Sequence, residues 1–166
     1  MKVKTERLVL KKITERDTAD LVSLIGDWEV SKWFSRVPYP YSEKHAEEWI
    51  SMVSKSSWNL NIFDSGRLCG GVGLTKLEDL RQFELGFWVS RNSWGKGIAT
   101  EAAKGLIEAT RESRKGTSIV ASYIQGNASS ANVLKKLNFK DTGSGQIFCI
   151  SRQEKVDCIN LCLKDC

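Results

Sequence analysis

The spacing of apolar and polar residues changes several times along the chain, and each change marks an element. From Glu6 to Lys11 charged and apolar residues alternate as in a strand. Thr14 suits an N-cap, opening a helix through Ala19, Leu21, Val22 and Leu24 to Gly26. Trp28, Val30, Trp33 and Phe34 predict a second, short helix. Pro38 and Pro40 then break the chain, and Ser42 caps a third helix that carries Ala46, Trp49, Ile50 and Val53. A two-residue period returns in Trp58 to Phe63, Leu68 to Leu77 and Arg81 to Ser90, with Asp64, Ser65 and Gly66 as a hairpin turn. Gly70, Gly71 and Gly73 sit inside a strand pattern with no helix after them, which predicts a bulge or a close backbone contact. Ile98, Ala99, Ala102, Ala103, Leu106 and Ile107 recur at helical spacing, predicting a long helix from about Gly95 to Arg114. Thr117 to Ile124 follows as a strand, and Gly126 and Asn127 introduce a helix to Leu137. Two strands, around Phe139 to Ile150 and Gln153 to Lys164, close the chain. Strands, then two strand-to-helix crossovers, then a final pair imply an α/β fold with a mixed sheet, in one domain over residues 1–166.

One junction in this pattern carries chemistry. Trp94, Gly95, Lys96, Gly97, Ile98, Ala99 and Thr100 follow the strand of Phe83, Leu85, Phe87 and Val89 directly and open the long helix. A glycine-rich turn at that junction exposes backbone N–H groups at the positive end of a helix dipole, where they can cradle an anion. Side chains at Gly95 or Gly97 would hold a phosphate off the main chain, or be strained at positive φ. The same two glycines also suit a tight connection that binds nothing.

Composition adjusts this picture in three ways. The 166 residues, 41% hydrophobic and 27% charged, are enough to bury one core. Lys plus Arg 25 against Asp plus Glu 20 gives a net charge of +5, which favours anionic partners. The basic residues are scattered without a dense tract, so the pattern does not point to nucleic acid. The N-terminal residues lack the apolar core of a signal peptide and no apolar run is long enough to span a bilayer, so a cytoplasmic protein without a membrane partner is expected.

Of the five cysteines, Cys149, Cys158, Cys162 and Cys166 cluster near the end of the chain. Their spacing lacks the paired thiolates of a zinc site, and the one histidine, His45, is remote in sequence, so no metal is expected. Val156, Cys158 and Cys162 fall on one strand face and Ile159, Leu161 and Leu163 on the other. This reads as a strand with small, buried, reduced thiols; a redox or metal role for Cys162 and Cys166 is the alternative. The Trp- and Tyr-rich stretch from Trp28 to Tyr41 suits core packing, or a lid or acceptor wall.

Four segments in order carry a resemblance: Thr5 to Leu10, Glu84 to Val89, Trp94 to Glu101, and Asn127 with Ser130, Val133, Lys136, Leu137 and Phe139. Together they make the chain resemble the GCN5-related N-acetyltransferases (GNAT), in the branch that includes ribosomal-protein N-terminal acetyltransferases. The resemblance covers nearly the whole length. It implies a single-domain, mixed, mostly antiparallel central sheet with flanking helices, acetyl-CoA as cosubstrate, and a primary amine as acceptor. The protein would then act as a monomer or homodimer.

The resemblance also implies roles for individual residues. The pyrophosphate of acetyl-CoA would rest on the turn made by Trp94, Gly95, Lys96, Gly97, Ile98, Ala99 and Thr100. Its pantetheine arm would lie along the main chain of Phe87, Trp88 and Val89. Asn127 would bond the pantetheine, although as a residue it suits a plain N-cap, and Lys136 would reach the adenosine phosphates or stay solvated. Glu84 is the candidate base, since partial burial raises a carboxyl toward a useful pKa; a solvated strand face is the alternative. Ser130 shares a helical face with Val133, Leu134 and Leu137, so its hydroxyl is expected to point inward, to serve the departing thiolate or to bond the preceding turn. Three residues depart from the family pattern. Asn92 replaces the usual Arg or Gln at the start of the turn motif, with Arg91 or Lys96 as possible substitutes. Leu134 stands where many relatives carry a tyrosine acid, and Asn138 replaces a glycine. The acceptor is a peptide N-terminus, a polyamine or a small-molecule amine such as an antibiotic; a catalytically weak acyl-CoA-binding regulator is the other class.

Overall fold

The computed structural model describes residues 1–78, 81–113 and 116–163. The strands are β1 (Lys2–Lys4), β2 (Leu8–Lys11), β3 (Asn59–Asp64), β4 (Arg67–Lys76), β5 (Gln82–Val89), β6 (Ser118–Ile124), β7 (Phe139–Cys149) and β8 (Glu154–Leu163). The helices are α1 (Thr18–Ile25), α2 (Trp28–Ser31), α3 (Glu43–Ser54), α4 (Ile98–Ser113) and α5 (Ala128–Lys136). The strands form one sheet in the order β1-β2-β3-β4-β5-β6-β8-β7. Among the described residues only β5 and β6 run parallel, so the mostly antiparallel α/β sheet expected from the resemblance is the one observed.

Two hydrophobic layers sandwich the sheet, as the alternating strand patterns require. Leu74 of β4, Phe83 and Leu85 of β5, Ile119 of β6 and Leu161 of β8 meet Ile98, Ala102 and Leu106 of α4 and Leu134 of α5 on one face. Phe63, Leu68 and Trp88 face the other way, against Leu21 and Ile25 of α1, Val30 of α2 and Ala46, Ile50 and Val53 of α3. Ser42 caps α3 by accepting from the His45 N–H at 3.3 Å. Thr14 opens a short 3-10 turn before α1, its N–H and hydroxyl both donating to Asp17 Oδ2 at 2.9 and 2.8 Å.

The glycine-rich β4 shows both of its expected features. Its register with β3 steps from Ile62↔Gly70 to Phe63↔Leu68, leaving Cys69 as the extra residue of a bulge. A Cβ on Gly70 would collide with the Trp88 carbonyl oxygen, on Gly71 with the Trp88 indole, and on Gly73 with the Asn59 side chain. The preceding hairpin turn has Ser65 at φ 49° and Gly66 at φ 80°, the pair of positive values that a two-residue connection of matching twist needs.

Three expectations change. The strand expected from Glu6 to Lys11 is β2, Leu8–Lys11, and a further three-residue strand, β1, precedes it, too short to show a period of its own. The long helix begins at Ile98 rather than Gly95, because Gly95 and Gly97 both adopt φ +73° and cannot be helical. The thiols of β8 lie on the predicted face, but Cys158 and Cys162 are only half-buried, whereas Cys69 and Cys149 are buried. That face of β8 lies opposite the layer that α4 and α5 cover. Burial and the neighbouring Asp64 charge push the Cys69 thiol up to about 11, which keeps it protonated and inert. Among the described residues no three His, Cys, Asp or Glu side chains gather as metal ligands. Cys166, and the predicted element ends at Arg114 and Lys164, lie outside the described residues.

Candidate active site

Divergence of the two parallel strands creates a slot. β5 pairs with β6 only from Gln82 to Leu85, opposite Ser118 to Ala121. Beyond that point β5 continues beside β4 to Val89, and β6 continues beside β8 to Ile124, with their facing edges unpaired. The Ser90 N–H donates to Cys69 O of β4 at 2.8 Å. Because main-chain groups of successive strand residues point to alternate sides, Trp88 turns its groups toward β4, and Phe87 and Val89 turn theirs toward the slot. The Val89 carbonyl there accepts the Trp94 indole N–H at 2.8 Å.

A run of unused donors lies at the end of the slot. Ser93 and Trp94 close a short turn through N–H bonds to Ser90 O and Arg91 O. The next amide with an intramolecular acceptor is that of Glu101, which donates to Gly97 O at 3.0 Å. The N–H groups of Gly95, Lys96, Gly97, Ile98, Ala99 and Thr100 have no partner among the described residues. A helix start without a capping side chain leaves its donors to water or to a ligand, and here two glycines in left-handed conformation extend the row outward. Glu84, on the half of β5 that still pairs with β6, is a half-buried residue whose carboxylate accepts the exposed Ser122 hydroxyl at 3.2 Å.

The acetyltransferase (GNAT) domain family matches residues 7–140. The chain belongs to this family. An uncharacterized N-acetyltransferase, p20, from Bacillus licheniformis is 28% identical over 147 residues, covering 84% of this chain and 82% of that protein. The crystal structure of a GNAT-family acetyltransferase from Bacillus anthracis superposes with a TM-score of 0.86 at 21% identity, covering 98% of this chain and 97% of the other. A ribosomal-protein-alanine N-acetyltransferase from Brucella melitensis gives 0.75 at 21% identity over 92% and 97%. These likenesses agree with the GNAT fold expected from the sequence.

Within this GNAT domain the predicted residues divide into two groups. Trp94 to Thr100 form the turn at the end of the slot, Phe87 to Val89 run along its edge, and Glu84 lies before it, on the paired half of β5. Asn127, Ser130 and Lys136 lie on the helix that follows β6. Asn127 is the N-cap of α5, its Oδ1 accepting the Ser130 N–H at 3.1 Å. Its Nδ2 donates to no described residue, so capping leaves the amide group available. Ser130 is half-buried, and its hydroxyl makes no hydrogen bond to the described residues, so the bond to the preceding turn is not formed. Lys136 is exposed in the last turn of α5. Asn138 adopts φ 66°, the conformation its replacement of glycine requires.

Neither candidate substitute for Asn92 extends freely over the turn. The Lys96 ammonium folds back to the Asn92 carbonyl at 3.0 Å, and the Arg91 guanidinium lies 3.9 Å from Asp27 at the start of α2. What the sequence did not reveal is a brace from the N-terminal strands. Glu101 Oε1 accepts from Thr5 Oγ1 at 2.6 Å and from the Arg7 N–H at 2.8 Å, and Glu101 Oε2 accepts from Arg7 Nε at 2.8 Å. Arg7 Nη2 lies 2.7 Å from that second oxygen and also donates to the Lys96 carbonyl at 3.0 Å. All three residues were visible as family-like; their pairing is tertiary and has no local signal.

Burial alone would raise the Glu101 carboxyl, but its bonds to Thr5 and Arg7 and the Arg7 charge outweigh it and hold the group below its ordinary value of 4.5. The folded chain therefore binds this proton less readily than the unfolded one. The brace stabilises the fold above the ordinary carboxylate range, and its contribution is lost as pH falls through and below that range. We expect the melting temperatures of wild type and Glu101→Gln to differ most near neutral pH and to converge as the pH falls well below the ordinary carboxylate range.

A second hollow, a cleft of about 470 Å³, is lined by Trp28, Lys32, Trp33, Ser151, Arg152 and Glu154. Trp33 joins it to the end of β6, its ring lying 3.8 Å from where a Gly126 Cβ would be. The Arg152 guanidinium lies 5.0 Å from the Trp33 ring centre, with Nε donating to Lys32 O at 2.8 Å. Trp28 packs against Tyr39 with ring centres 4.8 Å apart. Burial raises the Tyr41 phenol to about 12, so it stays protonated. The loop between β4 and β5 includes Asp79 and Leu80, which lie outside the described residues.

Proposed function

We propose that this single acetyltransferase domain, over residues 1–166, transfers the acetyl group of acetyl-CoA to a peptide N-terminus by direct attack in a ternary complex in the cytoplasm. The observation that carries the reading is the row of unpartnered amides from Gly95 to Thr100 at the end of the β5–β6 slot. Such a row matches a pyrophosphate: multiple N–H donors, a helix dipole and no side chain in the way. Phe87, Trp88 and Val89 run alongside the pantetheine arm, Phe87 and Val89 bonding it through the main chain. Asn127 Nδ2 donates to the same arm, and Lys136 approaches the adenosine phosphates.

The reaction joins a neutral amine nitrogen to the thioester carbonyl carbon, and the tetrahedral intermediate expels the thiolate as the amide forms. Glu84 takes the proton that the amine nitrogen sheds. Ser130 donates a hydrogen bond to the departing sulfur, since no tyrosine occupies position 134. Main-chain N–H near Val89 stabilises the oxyanion. Two bound substrates in one slot supply the proximity that direct transfer needs.

The 470 Å³ cleft beside Trp33 is our choice for the acceptor wall. Lys32 and Arg152 line it with Glu154, and Lys32 is paired with Glu29 at 2.7 Å, so the wall lacks the surplus of carboxylates that a polyamine would require. A panel of Ser- and Ala-starting peptides, spermidine and aminoglycosides, read by thiol release with mass confirmation, tests the assignment. Peptide turnover above spermidine and aminoglycoside turnover is expected. Tight acetyl-CoA binding with no release across the panel would instead mark a regulator.

A further inference from the structure

We propose that Arg7, on the turn between β1 and β2, is a positioning residue for the phosphate-binding turn, distant in sequence from every motif that defines it. The inference rests on acetyl-CoA binding at Gly95 to Thr100. Its geometric basis is the peptide unit between Lys96 and Gly97. That bond is trans, so the Lys96 carbonyl and the Gly97 N–H point in opposite directions across one rigid plane. Arg7 Nη2 holds the carbonyl at 3.0 Å, and this directs the Gly97 N–H away from the N-terminal strands into the row of free donors. Glycine at this position has no side chain to limit rotation of the plane, so an external anchor matters more here than elsewhere in the turn.

The guanidinium is itself held. Glu101 grips it through Nε and Nη2 while accepting the Arg7 N–H and the Thr5 hydroxyl. Glu101 belongs to the first turn of α4, so the clamp ties the β1–β2 turn to both sides of the cradle: the peptide plane before the helix and the first turn of the helix. Arg7 is paired with a carboxylate whose side chain is only 17% exposed, so its charge is largely neutralised. Its contribution is therefore geometric rather than a long-range attraction for phosphate. The same clamp accounts for the tolerance of Asn92: the main-chain donors are aimed by a residue from another strand, and a cationic side chain at position 92 is not needed to organise them.

The test compares two donors, acetyl-CoA and S-acetylpantetheine, which shares the thioester and lacks the diphosphate and adenosine. With Arg7→Met we expect KM for acetyl-CoA to rise about tenfold, equivalent to ~1.4 kcal/mol, with kcat and the KM for S-acetylpantetheine close to wild type. Arg7→Lys retains the charge but cannot hold the carboxylate and the carbonyl with one planar fork, so it should recover only a minor part of the loss. The double variant Arg7→Met/Glu101→Gln removes the unpaired carboxylate that could destabilise the single variant, and it should keep the donor-specific defect while folded by melting analysis. Equal effects on both donors, full rescue by Arg7→Lys, or an unchanged acetyl-CoA KM in Arg7→Met would overturn the positioning role. A wild-type enzyme that used the two donors equally well would instead overturn phosphate binding at the turn, and the positioning role with it.

Discussion

Glu84→Gln is expected to lower kcat about 10²-fold at pH 7 while leaving acetyl-CoA affinity unchanged. The expectation follows from where the residue sits. Glu84 lies on the paired half of β5, before the strands part, and its carboxylate is fixed by the Ser122 hydroxyl. The unpartnered amides lie beyond the other end of the strand, so removing the carboxylate leaves the phosphate contacts intact. Size and pH dependence together identify the acceptor. An N-terminal amine titrates at roughly 7.7–8.0 and a lysine-like amine near 10.4. With a peptide acceptor, raising the pH to 9 makes most of the amine neutral without help, and the defect should shrink to about tenfold or less. With a polyamine the defect should persist across that range. Ser122→Ala, which only frees the carboxylate to rotate, should cost a few-fold. A Glu84→Gln enzyme with the wild-type pH–rate profile would remove Glu84 from the proton path and leave water as the base.

Features encoded in short windows were legible in the sequence, and features created by separate segments meeting were not. The α/β order, the hairpin at Ser65 and Gly66, the cap at Ser42 and the glycine turn all depend on neighbours within a few residues, and all are found. The parting of β5 from β6 after Leu85 has no local signal, since Gly86 to Val89 reads as ordinary strand and only the register shows the lost partner. The Arg7–Glu101 clamp joins residues whose sequence neighbours say nothing about each other. Cysteine burial failed for a related reason: alternation correctly assigned the faces of β8, but which face the helices cover is a property of the whole sheet. Asn127 shows the local half of this pattern. Its oxygen caps α5, as its position before the helix predicts, while its Nδ2 donates to no described residue.

Gly70→Ala should destabilise the fold by about 3 kcal/mol and, in the protein that still folds, weaken acetyl-CoA binding. A Cβ at this position would collide with the Trp88 carbonyl oxygen and press on the Val89 Cα and Ile62 Cδ1, both at 3.2 Å. Two of these three are backbone atoms of the adjacent strand, so no rotamer change can relieve the overlap; β5 itself must move. It would move at Trp88 and Val89, whose opposite edge faces the slot, so the same displacement reaches the segment assigned to the pantetheine arm. Gly71→Ala is a milder case, because its obstacle is the Trp88 indole, a side chain that can shift within its layer. Gly86 provides the control. It lies on β5 itself, paired with Gly73, yet a Cβ there meets nothing within 4 Å, and Gly86→Ala should change stability by no more than about 0.5 kcal/mol. Chemical denaturation of the three variants, followed by acetyl-CoA titration of each, separates the effects. If Gly70→Ala were as stable as Gly86→Ala, the close approach of β4 to β5 would be wrong. If it were destabilised but bound acetyl-CoA normally, the position of β5 at Trp88 and Val89 would not matter to the cofactor, and the assignment of the slot would fall.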